Sequence, residues 1–265
     1  MERPTPAGCW RASDGGDAAV SRLEAWPLPG LPEVRPGADL GALLAAAAGG
    51  ALRPGDVLVV AHKVVSKAEG AVVALDGVAA SDRAIELANQ AGKDPRHVQV
   101  VLDESEELVR AERGVIISRT RHGFVCANAG VDASNTGAPD TLVLLPRDPD
   151  ASARALRAAL PGRPAVVVAD AFGRAWRNGQ VEVAIGVAGL RALDDWRGRA
   201  DSAGRELRAT WIAVADEAAA AADLVRDKSS REPVVVVRGL ERHVTAEDGP
   251  GASALLRPRG EDLFG

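Results

Sequence analysis

Several functional classes are excluded by what this chain lacks. It has only two cysteines in 265 residues, Cys9 near the start and Cys126 inside an apolar run, so the disulfide framework of a small secreted domain is not expected. Its four histidines are scattered, with no C-x-x-C or H-x-x-x-H spacing, and give no basis for a structural zinc site. The longest apolar runs, such as Ala165–Ala169 and Val234–Val237, fall far short of the roughly 20 residues that cross a bilayer. Met1–Asp17 holds no apolar stretch of signal-peptide length. A formal net charge of -5, with acids and bases interspersed, leaves no basic face for nucleic acid. Also missing are an internal repeat, a G-x-x-x-x-G-K-[ST] phosphate loop, a G-x-G-x-x-G fingerprint and a G-x-S-x-G elbow. Any nucleotide must be held by another device.

What remains is 46% hydrophobic, enough to bury a core, and reads as a soluble, cytoplasmic α/β protein. Residues 1–22, rich in Gly, Pro, Ala and charge without periodicity, read as a disordered leader. Asp39 caps a helix over Leu40–Ala48 that Gly49 and Gly50 end. Pro54-Gly55-Asp56 turns into a buried strand, Val57–Ala61. Ser81 caps a helix running to Gln90, with Gly92 as its stop. A strand is expected at His97–Leu102. A helix follows over Asp103–Arg113, with Leu108 and Val109 inward and Asp103, Glu104 and Glu106 favoured by the helix dipole. Further strands are expected at Val115–Ser118, Thr141–Leu145, Ala165–Ala169 and Pro233–Arg238, and helices at Asp150–Leu160 and Ala215–Val225. The alternation of small and apolar residues over Gly179–Gly189 suits a strand passing close to another backbone. Asp227–Arg231 reads as a polar loop, and the chain from Glu241 as a mobile tail.

Chemistry concentrates in four places. In Arg121–Gly137, Phe124, Val125 and Cys126 form a short buried strand that opens into polar residues and glycines. There Asp132 is a hard oxygen donor for a divalent cation and Asn135 both donates and accepts hydrogen bonds. The alternative is an Asx-type turn in which Asp132, Ser134 and Asn135 bond only their own backbone. Pro29-Gly30-Leu31-Pro32 is either a plain turn or a stiff segment whose glycine lets a ligand approach. His62, Lys63, Ser66 and Lys67 arrive at the end of a strand, with Lys63 and Lys67 on one face. They suit an anion such as a phosphate chain, or are a solvated pair. The buried strand Ala165–Ala169 ends in Asp170. Two aspartates, Asp132 and Asp170, on neighbouring strand ends would suit Mg²⁺ or Mn²⁺. Arg119 and Arg121 face either a phosphate or water.

Taken together, GLPEV at Gly30, HKVVSKAEG at His62, TRHGFVCANAGVDASN at Thr120, DAFGRAWRNGQ at Asp170, VAIGVAGL at Val183 and VVVVRGL at Val234 resemble the glutamyl ligase family of coenzyme F420. The resemblance spans residues 23–240, and extends to the N-terminal half of the actinobacterial two-domain form, whose nitroreductase-like half has no counterpart here. It implies a mixed α/β fold of two interleaved subdomains paired as an intertwined homodimer. The implied enzyme uses GTP and Mg²⁺ or Mn²⁺, with K⁺ as a further candidate ion, to phosphorylate the carboxylate of F420-0. The amine of L-glutamate then displaces the phosphate. A separate flavin-dependent reductase is an implied partner. By motif, Gly30, Leu31, Pro32 and Glu33 would line the nucleotide, Lys63 and Lys67 its phosphates, and Asn135 would contact GTP; His62 stands where the family commonly has Ser or Gln, and its ring would alter the phosphate pocket or take over that hydrogen bond. Asp132 and Asp170 would hold the metal, and with Lys63 form the catalytic set. Ala171 stands where the family carries a threonine ligand of a second metal, which leaves open an impaired nucleotide-binding paralogue acting as a regulatory or partner subunit. Asp227 and Lys228 fall where a loop contact is expected.

Overall fold

The computed structural model describes residues 22–227 and 229–262. Residues 1–21 of the expected leader, Lys228 and residues 263–265 lie outside them. In chain order the elements are β1 (Glu24–Pro27), α1 (Leu40–Ala48), β2 (Val57–Ala61), α2 (His62–Glu69), β3 (Val72–Ala74), α3 (Asp82–Ala91), α4 (Pro95–Asp103), β4 (Ser105–Glu112), β5 (Val115–Thr120), β6 (Val125–Ala127), β7 (Thr141–Val143), α5 (Pro149–Ala159), β8 (Ala165–Arg174), β9 (Arg177–Ala188), β10 (Asp194–Asp195), β11 (Trp211–Ile212), α6 (Val214–Val225) and β12 (Val234–Arg238). The cap chemistry fixes several boundaries. Asp39 and Ser81 each accept a hydrogen bond from a first-turn amide of α1 and α3, and Gly49 and Gly92 close those helices in the left-handed conformation.

The body is a five-stranded sheet in the order β1-β12-β2-β8-β9, in which only β2 and β8 run parallel. Its central strands are valine runs buried on both faces, as a covered sheet requires. Leu58, Val60, Val166 and Val168 face α1 and α5, packing on Leu40, Leu44, Leu156 and Leu160. The alternate residues Val57, Val59, Val167 and Val235 pack against α6, whose alanines let it lie close. The third core holds α3 and α4 against the three-stranded sheet β4-β5-β6 and the ends of β3 and β7. It is built from the residues between β2 and β8, so the chain leaves the body after α2 and returns at β7.

Two expected elements exchange identity. His97–Leu102 is not a strand but the inner part of α4, because Asp94 caps it, Pro95 occupies its first turn, and Val98 and Val101 fall on one buried face. Conversely, Asp103–Arg113 is not a helix. Its residues 105–112 form β4, with two register shifts against β5, between Ser105 and Glu107 and between Leu108 and Arg110. Each shift inserts one residue, so the inward positions Ser105, Leu108 and Ala111 recur every third residue and imitate a helix face. Val109 accordingly points outward, 49% exposed. The acidic residues serve ion pairs rather than a helix dipole: Glu104 meets Arg121, and Glu106 meets Arg259. The tail expected to be mobile is folded against the body through Asp262. His243 and Ala252 are buried, Arg157 holds Asp248, and the Asp150 carboxylate accepts from the Ala252 and Val187 amides.

Asp216, in the first turn of α6, accepts a hydrogen bond from the Ala184 amide. Burial pushes its carboxyl above the ordinary value, against the pull of that single bond. A carboxyl raised on folding stabilises the protein at low pH and loses that contribution as pH climbs through its folded-state pKa. Asp216→Asn keeps the acceptor and removes the charge. It is expected to be at least as stable as the parent at pH 7, with the advantage shrinking as pH falls through the carboxylate range. Urea unfolding at a series of pH values tests this, and an advantage that does not change with pH would contradict it.

Candidate functional site

The parallel pair builds the site. Because Ala61 is in register with Ala169, the residues that follow, His62 and Asp170, lie side by side at the carboxyl end of β2, the edge at which open α/β sheets bind ligands; the strand expected to end at Ala169 runs on through Asp170 to Arg174, paired with β9. His62 begins α2 directly, is 2% exposed, and places Nε2 3.2 Å from Asp170 Oδ1. Its Nδ1 is 3.4 Å from Ser66 Oγ one turn on. The Ala171 amide donates to Asp170 Oδ1 at 2.8 Å. Burial alone would push this carboxyl up, but His62, the Ala171 amide and Lys63 together hold it below its ordinary value.

The second aspartate reaches the same helix turn from the third core. Asp132 bridges Val143 at the end of β7, and its Oδ2 lies 2.6 Å from Lys63 Nζ. Its Oδ1 accepts from the Ser134 amide at 2.6 Å, so the Asx turn and the outward-facing anion are both present, one on each oxygen. Lys63 also donates to Ser134 Oγ at 2.7 Å. Burial opposes ionisation of Asp132, yet Lys63 and the Ser134 amide win and hold it below its usual value. Each carboxylate therefore keeps its charge to lower pH than an ordinary carboxyl does.

Lys67, one turn further along α2, meets Glu33 at 2.6 Å. A Cβ built on Gly137 would lie 3.6 Å from Glu33 Oε1 and 3.8 Å from Lys67 Nζ, so the 30–33 segment, α2 and the 132–137 loop converge on one rim. Gly30, Pro32 and Glu33 are exposed there and Leu31 is half-buried. Asn135 is exposed, with a left-handed backbone, φ 55. Phe124 and Cys126 are buried, whereas Val125 points outward in the edge strand β6. Arg119 and Arg121 each face a carboxylate, Glu107 and Glu104.

Sequence reasoning gave Ser134 no contact with Lys63 and overlooked the pair Glu182–Arg226. Its spacing two residues after Asp132 was the available signal for Ser134. Glu182 is in register with Ala171 on β9, and Arg226 Nη1 donates to it at 2.6 Å. Burial raises the Glu182 carboxyl even against that guanidinium. Beside Ala171, which has no side-chain oxygen, stands a carboxylate already paired with a guanidinium. Asp227 turns inward on its own loop, accepting from the Ser229 amide and hydroxyl.

For a single divalent cation the residues present fit. Among the described residues no group of three or more His, Cys, Asp or Glu could hold a metal alone, but Mg²⁺ and Mn²⁺ need only one or two carboxylates when substrate phosphates and water complete the shell. Asp132 and Asp170, held ionised beside Lys63 and His62 in the first turn of α2, supply two such carboxylates. Cys126 lies near Asp170, and burial, followed by that negative charge, pushes its thiol up to about 12. It is expected to resist alkylation in the folded protein and to react only on unfolding. Peptide mapping after iodoacetamide treatment tests this, with native-state labelling of Cys126 as the contrary result.

The sequence profile of F420-0:Gamma-glutamyl ligase matches residues 30–239. The coenzyme F420:L-glutamate ligase of Methanothermobacter thermautotrophicus is 45% identical over 244 residues, covering 89% of this chain and 96% of that protein. Its namesake from Methanopyrus kandleri is 46% identical over 255 residues, 94% of this chain and 99% of its own length. That from Methanocaldococcus jannaschii is 43% identical over 218 residues, 80% and 86% of the two chains. No helix among the described residues is long and apolar enough to cross a membrane. With a shared sequence from Gly30 through β12 and a mixed α/β fold that brings its motifs to one rim, the chain belongs to the F420-0:gamma-glutamyl ligase family.

Proposed function

We propose that this protein is a GTP- and divalent-metal-dependent ligase that joins L-glutamate to coenzyme F420-0 through an acyl phosphate. The observation that carries the reading is that Asp170 meets His62 and Asp132 meets Lys63, neighbouring residues in the first turn of α2. A carboxylate does not react with an amine until one of its oxygens becomes a good leaving group. Transfer of the γ-phosphoryl group of GTP to the acceptor carboxylate supplies that group and releases GDP. The glutamate amine then forms the amide bond and expels phosphate. A bound Mg²⁺ or Mn²⁺ would neutralise the repulsion among phosphate oxygens.

The protein's own residues do the rest. Asp132 and Asp170 would hold the cation. Lys63 and Lys67 would exchange their present carboxylate partners for phosphate oxygens. The exposed Gly30, Leu31, Pro32 and Glu33 would line the nucleotide, His62 would position Asp170, and Asn135 would hydrogen-bond GTP. The purified protein incubated with F420-0, L-glutamate, GTP and Mn²⁺ is expected to yield a product heavier by one or more glutamyl units, together with GDP, by mass spectrometry. Absence of both products would refute the assignment.

A further inference from the structure

A groove of about 430 Å³ runs beside β3 and is lined by residues 70–73, Glu104, Arg121, Leu144 and Arg147, a volume within the range of small-ligand sites. Its lining includes two arginines and one glutamate, one positive charge in excess. Arg121 Nη1 is 2.9 Å from Glu104 Oε2 and its side chain remains 47% exposed. Among the described residues the Arg147 guanidinium has neither a hydrogen bond nor an ion pair. Its backbone, by contrast, is clamped from both sides. Glu69 Oε2 accepts from the Arg147 amide at 3.1 Å, and His122 Nε2 lies 3.0 Å from the Pro146 carbonyl and 3.2 Å from that of Arg147. Those two carbonyls require His122 to donate from Nε2, and it in turn stacks on buried Phe124. An arginine anchored at its backbone and left without a partner at its head is arranged for something that arrives from outside.

The groove also lies within reach of the reacting end. Val143 pairs with Val72 on one side and bridges Asp132 on the other. Two ladder steps of about 4.8 Å each therefore separate the backbone of the groove-lining strand from the backbone of Asp132, about 10 Å in all. We propose that this groove is an oxyanion subsite of the ligase, in which Arg147 and Arg121 take carboxylate or phosphodiester oxygens of a substrate whose reacting group lies at Asp132 and Asp170. The proposal rests on the ligase reading for the identity of its ligands. Two substrates carry such oxygens, the acceptor and L-glutamate, and for L-glutamate the Glu104 carboxylate offers a partner to the ammonium group.

The test separates these sources. Binding of F420-0, followed by its fluorescence, and of L-glutamate, by calorimetry, is measured without GTP on the parent chain, Arg147→Gln, Arg147→Lys and Arg121→Gln. A lost charge-assisted hydrogen bond should weaken the bound substrate by roughly 10- to 100-fold, with Arg147→Lys recovering part of the loss and GTP affinity unchanged. Weakening confined to F420-0 assigns the groove to the acceptor; weakening confined to L-glutamate assigns it to the amino acid. Affinities for both that stay within twofold in Arg147→Gln and Arg121→Gln overturn the proposal, as does a parent chain that binds neither. Because no turnover is needed, failure of the ligase assay is recognised separately.

Discussion

Replacing Asp170 with asparagine is expected to lower ligase turnover by at least about 10³-fold, because the metal's contribution to transition-state charge is several kcal/mol at about 1.4 kcal/mol per factor of ten. The substitution keeps the side chain's volume and its acceptor for the Ala171 amide. It removes the anion that faces the buried His62 ring. A change in melting temperature of a few degrees is compatible with this account, whereas general unfolding is not. The direct readout is Mn²⁺-dependent GTP binding, which should fall together with turnover. Asp170→Asn retaining activity within tenfold of the parent would remove Asp170 from the cation site and leave it a structural partner of His62.

Gly186→Ala is expected to destabilise the fold by about 3 kcal/mol or more. Gly186 lies on β9 where α5 begins, and a Cβ there would sit 2.2 Å from the Pro149 carbonyl oxygen and 2.4 Å from its carbon. Those are backbone atoms of a helix whose first turn is fixed by the Asp148 cap, so neither side can yield without parting helix from sheet. At about 2–4 °C per kcal/mol for a domain of this size, the melting temperature should drop by roughly 6–12 °C. Gly77→Ala is the control, since nothing lies within 4 Å of its added methyl, and it should stay within about 0.5 kcal/mol. A Gly186→Ala melt within 2 °C of the parent would show that β9 and α5 can separate at little cost.

The body of the fold was legible because its signals are local. Valine runs flanked by turns mark β2 and β12, and Asp39, Ser81, Gly49 and Gly92 bound helices by chemistry confined to a few atoms. The 97–112 region misled for the opposite reason. In α4, β-branched residues outvoted a cap and a proline that named the helix. In β4 the register shifts against β5 recast a strand's alternation as a threefold repeat, and nothing in SEELVRAE itself reveals them. At the site, residue types and strand ends drew attention to Asp132, Asp170, Lys63 and Lys67, and the structure brings these residues to one helix. Their partnering depends on sheet register and on a loop from a different core. Ser134 and the Glu182–Arg226 pair escaped notice because each acquires meaning only from a residue far away in the chain.

The segment after β12 alters where this protein can be cut. Arg157 is 3% exposed at its side chain and spends its guanidinium on Asp248 and on the carbonyls of Thr245 and Ala246. The similarity to relatives captured by the family profile ends at residue 239, so an expression boundary drawn there would strand a buried cation without its anion. It would also deprive Asp150 of the amide that Ala252 offers. The thermodynamic unit thus outruns the recognisable one, with the final stretch acting as a hasp that fastens α5 to the end of β9.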